Sequence, residues 1–314
     1  MFQLNVKEDN RTHQMMGGRL EGSRLILGMM RYADLSEDKI DNILKTALGL
    51  RISCVDHADI YGAGDSEALF GRWLGKNRAL RDQMVIQTKC GIRDGYYDLS
   101  KTHIVKSAED SLRRLQTESI DLYMLHRPDT FMVPEEIAEA FQILKRSGKV
   151  KHFGVSNMNP LQIERLQRVL DEPLLVNQVQ FGLKHTGLID SGFQMNTEMG
   201  GGASRTGNLL EYAQLNGITL QAWSPLQFGF FEGNFIGHPD FEVLNKELNA
   251  QGLRHGLSPE ALAIAWILSH PANIQVVLGT TSPERIADIE KATRVTLDRE
   301  TWYGLYRAAG NVLP

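Results

Sequence analysis

Four side chains of this 314-residue chain could together deliver a proton to a carbonyl oxygen: Asp56, Tyr61, Lys89 and His126. Asp56 and Tyr61 lie in Val55-Asp56-His57-Ala58-Asp59-Ile60-Tyr61-Gly62. Lys89 ends Gln87-Thr88-Lys89-Cys90, and His126 lies in Met124-Leu125-His126-Arg127-Pro128-Asp129. Each segment closes a short apolar run, which places these residues at strand ends. A carboxylate and an ammonium taken out of water need one another. An ammonium beside a phenol favours phenolate and is expected to bring Tyr61 down from about 10 toward a value useful for proton transfer. His126 is suited to hydrogen-bond an incoming carbonyl oxygen. Singly, each residue has a structural reading: Asp56 as a helix cap, Tyr61 as loop packing, Lys89 as a rim charge. Four such groups at the ends of three consecutive strands favour the chemical reading, which lacks only a hydride source.

Other chemistries find less support. Cys54 and His57 have a ligand-like spacing, but an odd separation on a strand sends the two side chains to opposite faces. The chain has no HExxH, paired CxxC or GxSxG motif, so neither a metal site nor a serine nucleophile is expected.

The elements that must position these groups are read from periodicity. Segments 25–30, 52–58, 84–90, 120–126, 152–157, 176–181, 219–224 and 275–279 are short and mostly rich in Val, Ile and Leu, as strands buried on both faces should be. Segments 37–49, 66–74, 101–115, 134–147, 160–170 and 259–269 carry apolar residues at helical spacing, several opening with Ser or Pro. Strands alternating with helices and no linker between them give an α/β fold. A doubly wound nucleotide-binding sheet should show GxGxxG after its first strand, whereas this one ends Leu27-Gly28-Met29-Met30-Arg31-Tyr32. Polar residues collect instead at the C-terminal ends of several strands, as in a (β/α)₈ TIM barrel, and one such domain over 1–314 is expected. Two segments exceed what a barrel needs: 182–207, with Gly-rich 199–204, and 228–239, with its phenylalanines. Long loops on that face shape substrate access.

Net charge is −4 with no block of one sign, which argues against nucleic acid or a membrane surface as the main partner. No stretch is long and apolar enough for a membrane span, and the first residues lack a signal-peptide core. Cys54 and Cys90 sit in apolar runs and suit a reducing, cytoplasmic setting.

Asp56-His-Ala-Asp-Ile-Tyr61-Gly62, followed by Ser66-Glu67 and Gly71, resembles the aldo-keto reductase signature. Thr88-Lys89, Leu125-His126-Arg127-Pro128-Asp129, Gly154-Val-Ser156-Asn157, Asn177-Gln178, Trp223-Ser224-Pro225-Leu226 and Gly279-Thr280 follow in the family's order. The likeness runs from about position 24 to 291. The runs Lys149-Val-Lys-His-Phe-Gly-Val-Ser-Asn157 and Gly28-Met-Met-Arg31 most resemble the bacterial YdhF-like oxidoreductase branch.

The resemblance implies the tetrad Asp56, Tyr61, Lys89 and His126, and NADPH (or NADH) binding without a Rossmann domain. Ser156, Asn157 and Gln178 would hold the carboxamide, with Trp223 stacked on the nicotinamide. Ser224 and Leu226 would line the pyrophosphate, and Gly279, Thr280, Ser282 and Arg285 the adenosine phosphate. Gly28, Met29, Met30 and Asp56 complete the expected cofactor contacts. Three positions depart from the family pattern: Gly279 where many members carry Lys, Ile289 near a usual Asn, and His57 for the common Thr.

The function expected is NADPH-dependent reduction of a small-molecule aldehyde or ketone, in a pocket made apolar by Met29, Met30, Phe228, Phe230 and Phe231. The alternative is a slow, nucleotide-binding, redox-sensing regulatory barrel. Ser282 reads as the cap and Pro283 as the first residue of a helix whose start could bind a phosphate, with Arg285 beside it or else paired with Asp288.

Overall fold

The computed structural model describes residues 12–197 and 206–314, so the Gly-rich segment 199–204 lies outside the described residues. The chain opens with an antiparallel hairpin, β1 (His13–Met16) and β2 (Leu20–Ser23). Eight parallel strands then close a barrel. They are β3 (Leu25–Gly28), β4 (Cys54–Asp56), β5 (Val85–Cys90), β6 (Ile120–Leu125), β7 (Val150–Ser156), β8 (Leu174–Gln180), β9 (Thr219–Trp223) and β12 (Gln275–Leu278), with β12 beside β3. The residue ranges agree with the sequence reading to within a few positions at each end.

Helices cover the barrel: α1 (Glu37–Gly49), α2 (Asp65–Lys76), α3 (Lys101–Leu115), α4 (Pro134–Arg146), α5 (Pro160–Gln167), α6 (Gly187–Phe193) and α7 (Leu209–Leu215). After β9 a small hairpin, β10 (Gln227–Phe228) with β11 (Gly233–Asn234), occupies the phenylalanine-rich loop. Then come α8 (Glu242–His255), α9 (Pro259–Leu268), α10 (Pro283–Glu290) and α11 (Arg299–Ala308). Among the described residues no helix is long and apolar enough to cross a membrane.

Local chemistry starts these helices where they start. Ser36, Ser100, Ser258, Ser282 and Asp298 each accept a hydrogen bond from the third helical N–H, and Asn159 forms a reciprocal capping box with Gln162. Because Asn159 caps α5, Ser156 and Asn157 are left for other work. The apolar interior has two parts. The larger lies between strands and helices, and a smaller set inside the barrel includes Met16, Ile26, Cys54, Leu122, Leu175 and Val277. The β1–β2 hairpin closes that end of the barrel with Met16, which is fully buried. At the opposite end the interior turns polar.

Candidate active site

The strand period of two decides which residues look inward. On β4, Cys54 joins the apolar cluster inside the barrel, Asp56 also points inward, and His57 turns outward against Phe70 at 4.7 Å. Cys54 and His57 therefore do lie on different faces. On β5, Gln87 and Lys89 face inward. Thr88 points outward and donates to Glu67 of α2 at 2.6 Å. Glu67 in turn accepts from Arg114 of α3 at 2.6 Å, a buried tie that fixes α2 and α3 against the rim. Gly71 permits that approach, because a Cβ there would lie 1.9 Å from the Arg114 carbonyl oxygen.

Lys89 Nζ donates to Asp56 Oδ1 at 2.6 Å and to the His57 carbonyl at 2.8 Å, with both charged side chains buried. The same Asp56 oxygen accepts from Gln87 at 2.6 Å and from Gln178 at 3.0 Å. Three donors on one oxygen hold the carboxylate in place. Burial holds the Lys89 pKa below its usual value, against the opposing pull of the Asp56 charge.

Tyr61 sits in a tight turn just past β4, where Gly62 has φ 56° and a Cβ would lie 2.4 Å from that of Ala33. The turn sets the phenol ring 5.2 Å from Lys89 Nζ and 6.0 Å from the His126 ring at 82°. Asp56, Tyr61, Lys89 and His126 are thus brought together. The expected cause of tuning needs correcting. Burial first, then the Asp56 charge, pushes the Tyr61 pKa well above its usual value, and the cation that pulls it down is Arg127. Lys89 Nζ is bonded to Asp56 and to the His57 carbonyl, with the Asp56 charge beside it. Burial, Lys89 and Arg127 all lower the His126 pKa, so its imidazole is neutral. Its Nδ1 is buried with no partner. A bare lone pair there costs less than an orphaned N–H, which puts the hydrogen on Nε2.

Asp56, Tyr61 and His126 wall one end of a cavity of about 1040 Å³, with Lys89 fully buried behind them. Of the positions expected to contact a cofactor, Gly28, Met30, Asp56, Ser156, Asn157, Gln178, Trp223, Ser224, Leu226, Gly279, Thr280 and Arg285 line it. Met29 does not: its side chain is fully buried in the apolar core, and its carbonyl accepts from Ser66. Ser282 is also outside the lining, its hydroxyl donating to Glu284 at 2.6 Å while capping α10. Phe228 packs on His238 and Phe241 instead, whereas Phe230 and Phe231 do line the cavity. Arg285 is exposed and not paired with Asp288, which holds Lys291 at 2.9 Å.

Asn157, at φ 59°, donates to Ser156 Oγ at 2.7 Å and accepts from Trp223 Nε1 at 3.1 Å. Trp223 lies nearly parallel to Phe231, ring centres 5.8 Å apart. Sequence reasoning gave no role to Gln87, Gln221 and Gln275. Gln221 bonds Gln87, Gln178 and Gln275, and Gln275 reaches the Ser23 carbonyl, a buried amide ladder running from Asp56 toward the hairpin. Their signal was present: a glutamine inside an otherwise apolar strand needs a partner.

An eight-stranded barrel with an ion-paired lysine beneath a tyrosine, at the C-terminal rim, is the architecture of a barrel enzyme. A model of the Aldo/keto reductase family matches residues 24–306, and the chain belongs to that family. It is 37% identical over 308 residues to a 6-dehydroglucose reductase of Agrobacterium fabrum, covering 94% of this chain and 96% of that one. The oxidoreductase YdhF of Escherichia coli is 34% identical over 302 residues, covering 92% and 94%. A crystal structure of an aldo-keto reductase from Klebsiella pneumoniae in complex with NADPH superposes with a TM-score of 0.74 at 25% identity, covering 93% of each chain.

Proposed function

We propose that this enzyme reduces an aldehyde or ketone to an alcohol with NADPH, Tyr61 giving the proton. The observation that carries the reading is the Asp56–Lys89 pair at 2.6 Å beneath Tyr61, beside a neutral His126 at the wall of a large cavity. The cavity, about 1040 Å³, is at the upper end of small-ligand sites, which span about 300–1,000 Å³. That is more than a simple aldehyde requires. Its lining suits a dinucleotide. Ser156, Asn157 and Gln178 present amides and a hydroxyl, Gly279 adds no side-chain bulk, and Gln227 Oε1 is buried without a partner.

When bound, NADPH supplies the hydride to the carbonyl carbon. Tyr61 passes its phenol proton to the carbonyl oxygen as negative charge builds there. His126 Nε2–H donates to the same oxygen and orients it. Lys89 stabilises the phenolate left behind, and Asp56 holds Lys89 in place. The high Tyr61 pKa makes the phenol the resting form, and Arg127, the cation that pulls that pKa down, eases its ionisation.

The test is Tyr61→Phe assayed with NADPH and a panel of aldehydes that includes 6-dehydroglucose, the compound in the Agrobacterium relative's name. The variant should fold and bind cofactor as the parent does, with kcat reduced by about 10² or more, the order expected for loss of a general acid. Turnover near the parent's rate would remove Tyr61 from the mechanism.

A further inference from the structure

Arg127 is a half-buried cation in the wall of the catalytic cavity, adjacent in sequence to His126. Its guanidinium lies over the Trp223 ring at 5.8 Å, and no hydrogen bond or ion pair to another described residue uses its five donors. The acids nearby are committed elsewhere. Asp129, two residues on, accepts from the backbone N–H groups of Leu99 and Phe131. Asp56 is held by Lys89, Gln87 and Gln178. The other acid lining the cavity, Glu260, belongs to α9, which packs on β12 and α10. Arg31, exposed at the rim, adds a second positive charge at the catalytic end. Phe230 and Phe231 give the loop side an apolar surface, and a ligand that displaces water from the half-buried Arg127 must supply acceptors in its place.

We propose that Arg127 is a substrate-binding residue, and that the carbonyl substrate carries paired oxygen acceptors a few bonds from its carbonyl, as a carboxylate or as neighbouring hydroxyls. A guanidinium has donors only and holds them in a planar fork that matches two oxygens at once. The indole face beneath it fixes the plane of that fork. Arg127 also lies close enough to lower the pKa values of both Tyr61 and His126, so a group gripped by it sits beside the reacting carbonyl. Sequence alone suggested an apolar pocket; one wall is instead a donor array.

The inference rests on the reductase reading, and the experiment separates the two. Three aldehydes of similar size are compared: succinic semialdehyde for the carboxylate, glyceraldehyde for the hydroxyls, and butanal with neither. For each, kcat/KM with NADPH is measured in the parent enzyme and in Arg127→Met. The same three compounds are titrated by calorimetry into protein loaded with NADP⁺, where no hydride can be transferred. At least one oxygen-bearing aldehyde should exceed butanal by about ten- to a hundredfold, the scale of a charge-assisted hydrogen bond, and the ratio should collapse in the variant. Losing the positive charge near Tyr61 changes all three rates alike, so the ratio is the readout. Butanal matching both others, or an equal loss for all three in Arg127→Met, overturns the proposal. If none of the three is reduced, the reductase reading fails for them, and the calorimetric ratios still decide whether Arg127 selects oxygen acceptors.

Discussion

The two ends of the barrel interior are made by the same strands and do opposite things. Toward the hairpin, Met16, Ile26, Cys54, Leu122 and Leu175 pack without charge. Toward the rim, two to four residues further along their strands, Asp56, Lys89 and Gln178 occupy inward positions and are almost as completely buried. The glutamine ladder lies between, converting an apolar interior into one that can hold an ion pair. Burial is equal at both ends, so burial does not distinguish structure from chemistry here; what differs is whether a polar atom is fully partnered or faces the cavity.

The largest effect should come from breaking the rim end. Lys89→Met leaves Asp56 buried without its cation, a loss of about 3–5 kcal/mol in stability, together with most of the activity. Adding Asp56→Asn should restore part of the stability and none of the activity, because the second change removes the stranded charge. A double variant no more stable than Lys89→Met in urea unfolding would show that the pair is not energetically coupled.

The hairpin end should behave in the reverse way. Leu175→Ala removes a buried side chain and should cost about 2–5 kcal/mol by leaving a cavity, while kcat/KM stays within about twofold. A matching loss of catalytic efficiency at temperatures where the variant is fully folded would mean that the two ends are not independent.

His57 sharpens the contrast from the outer face of β4. It follows Asp56 directly and is just as buried, yet neither ring nitrogen has a partner among the described residues, and burial with the nearby Lys89 charge lowers its pKa to about 3. The folded state therefore refuses a proton that the unfolded chain binds below about 6.5. Stability should fall as pH drops from about 6.5 toward 3, by up to about 1.4 kcal/mol per pH unit for this histidine. His126, also lowered, acts in the same sense. Asp59, raised to about 6 mainly by burial, binds its proton more readily when folded and opposes them below that pH. His57→Thr should flatten the acid side of a Tm-against-pH curve; an unchanged slope would place the acid sensitivity elsewhere.

The sequence carried the barrel and its strand order because inward runs of Val, Ile and Leu recur between capped helices, a pattern that sets a period without needing tertiary contacts. The grouping of Asp56, Lys89 and His126 was legible because each closes such a run, and Tyr61 because it follows a few residues past the first. The β1–β2 hairpin escaped notice, since four-residue strands such as His13–Met16 have too few positions to show a period. The direction of the Tyr61 shift was not legible, because spacing places Lys89 near the phenol but does not show how deeply the phenol is buried beside the Asp56 charge. Met29 and Met30 illustrate the same limit: adjacent and chemically alike, one is buried in the core and the other lines the cavity.

The smallest effect expected concerns cofactor choice. At the start of α10, Arg285 lines the cavity and is not bonded to Asp288, the partner that could have made it a surface ion pair. The helix start offers a phosphate the positive end of the dipole rather than free N–H groups, since Pro283 has none and those of Arg285 and Ile286 are bonded to Ser282. Ser282 contributes by fixing that start through its bond to the Arg285 N–H, not by lining the cavity. Two features weaken the site: Gly279 supplies no side chain, and Glu284, held by Ser282, puts negative charge beside the turn. A two-pronged contact from an exposed arginine is screened by salt, so the preference for NADPH over NADH should be moderate. Arg285→Ala should lower kcat/KM with NADPH by about tenfold or less, with little change for NADH, and the difference should shrink as ionic strength rises. Glu284→Gln should move the ratio the other way, toward NADPH. An equal loss with both cofactors in Arg285→Ala would mean that this arginine supports the adenosine end in general and does not read the 2′-phosphate.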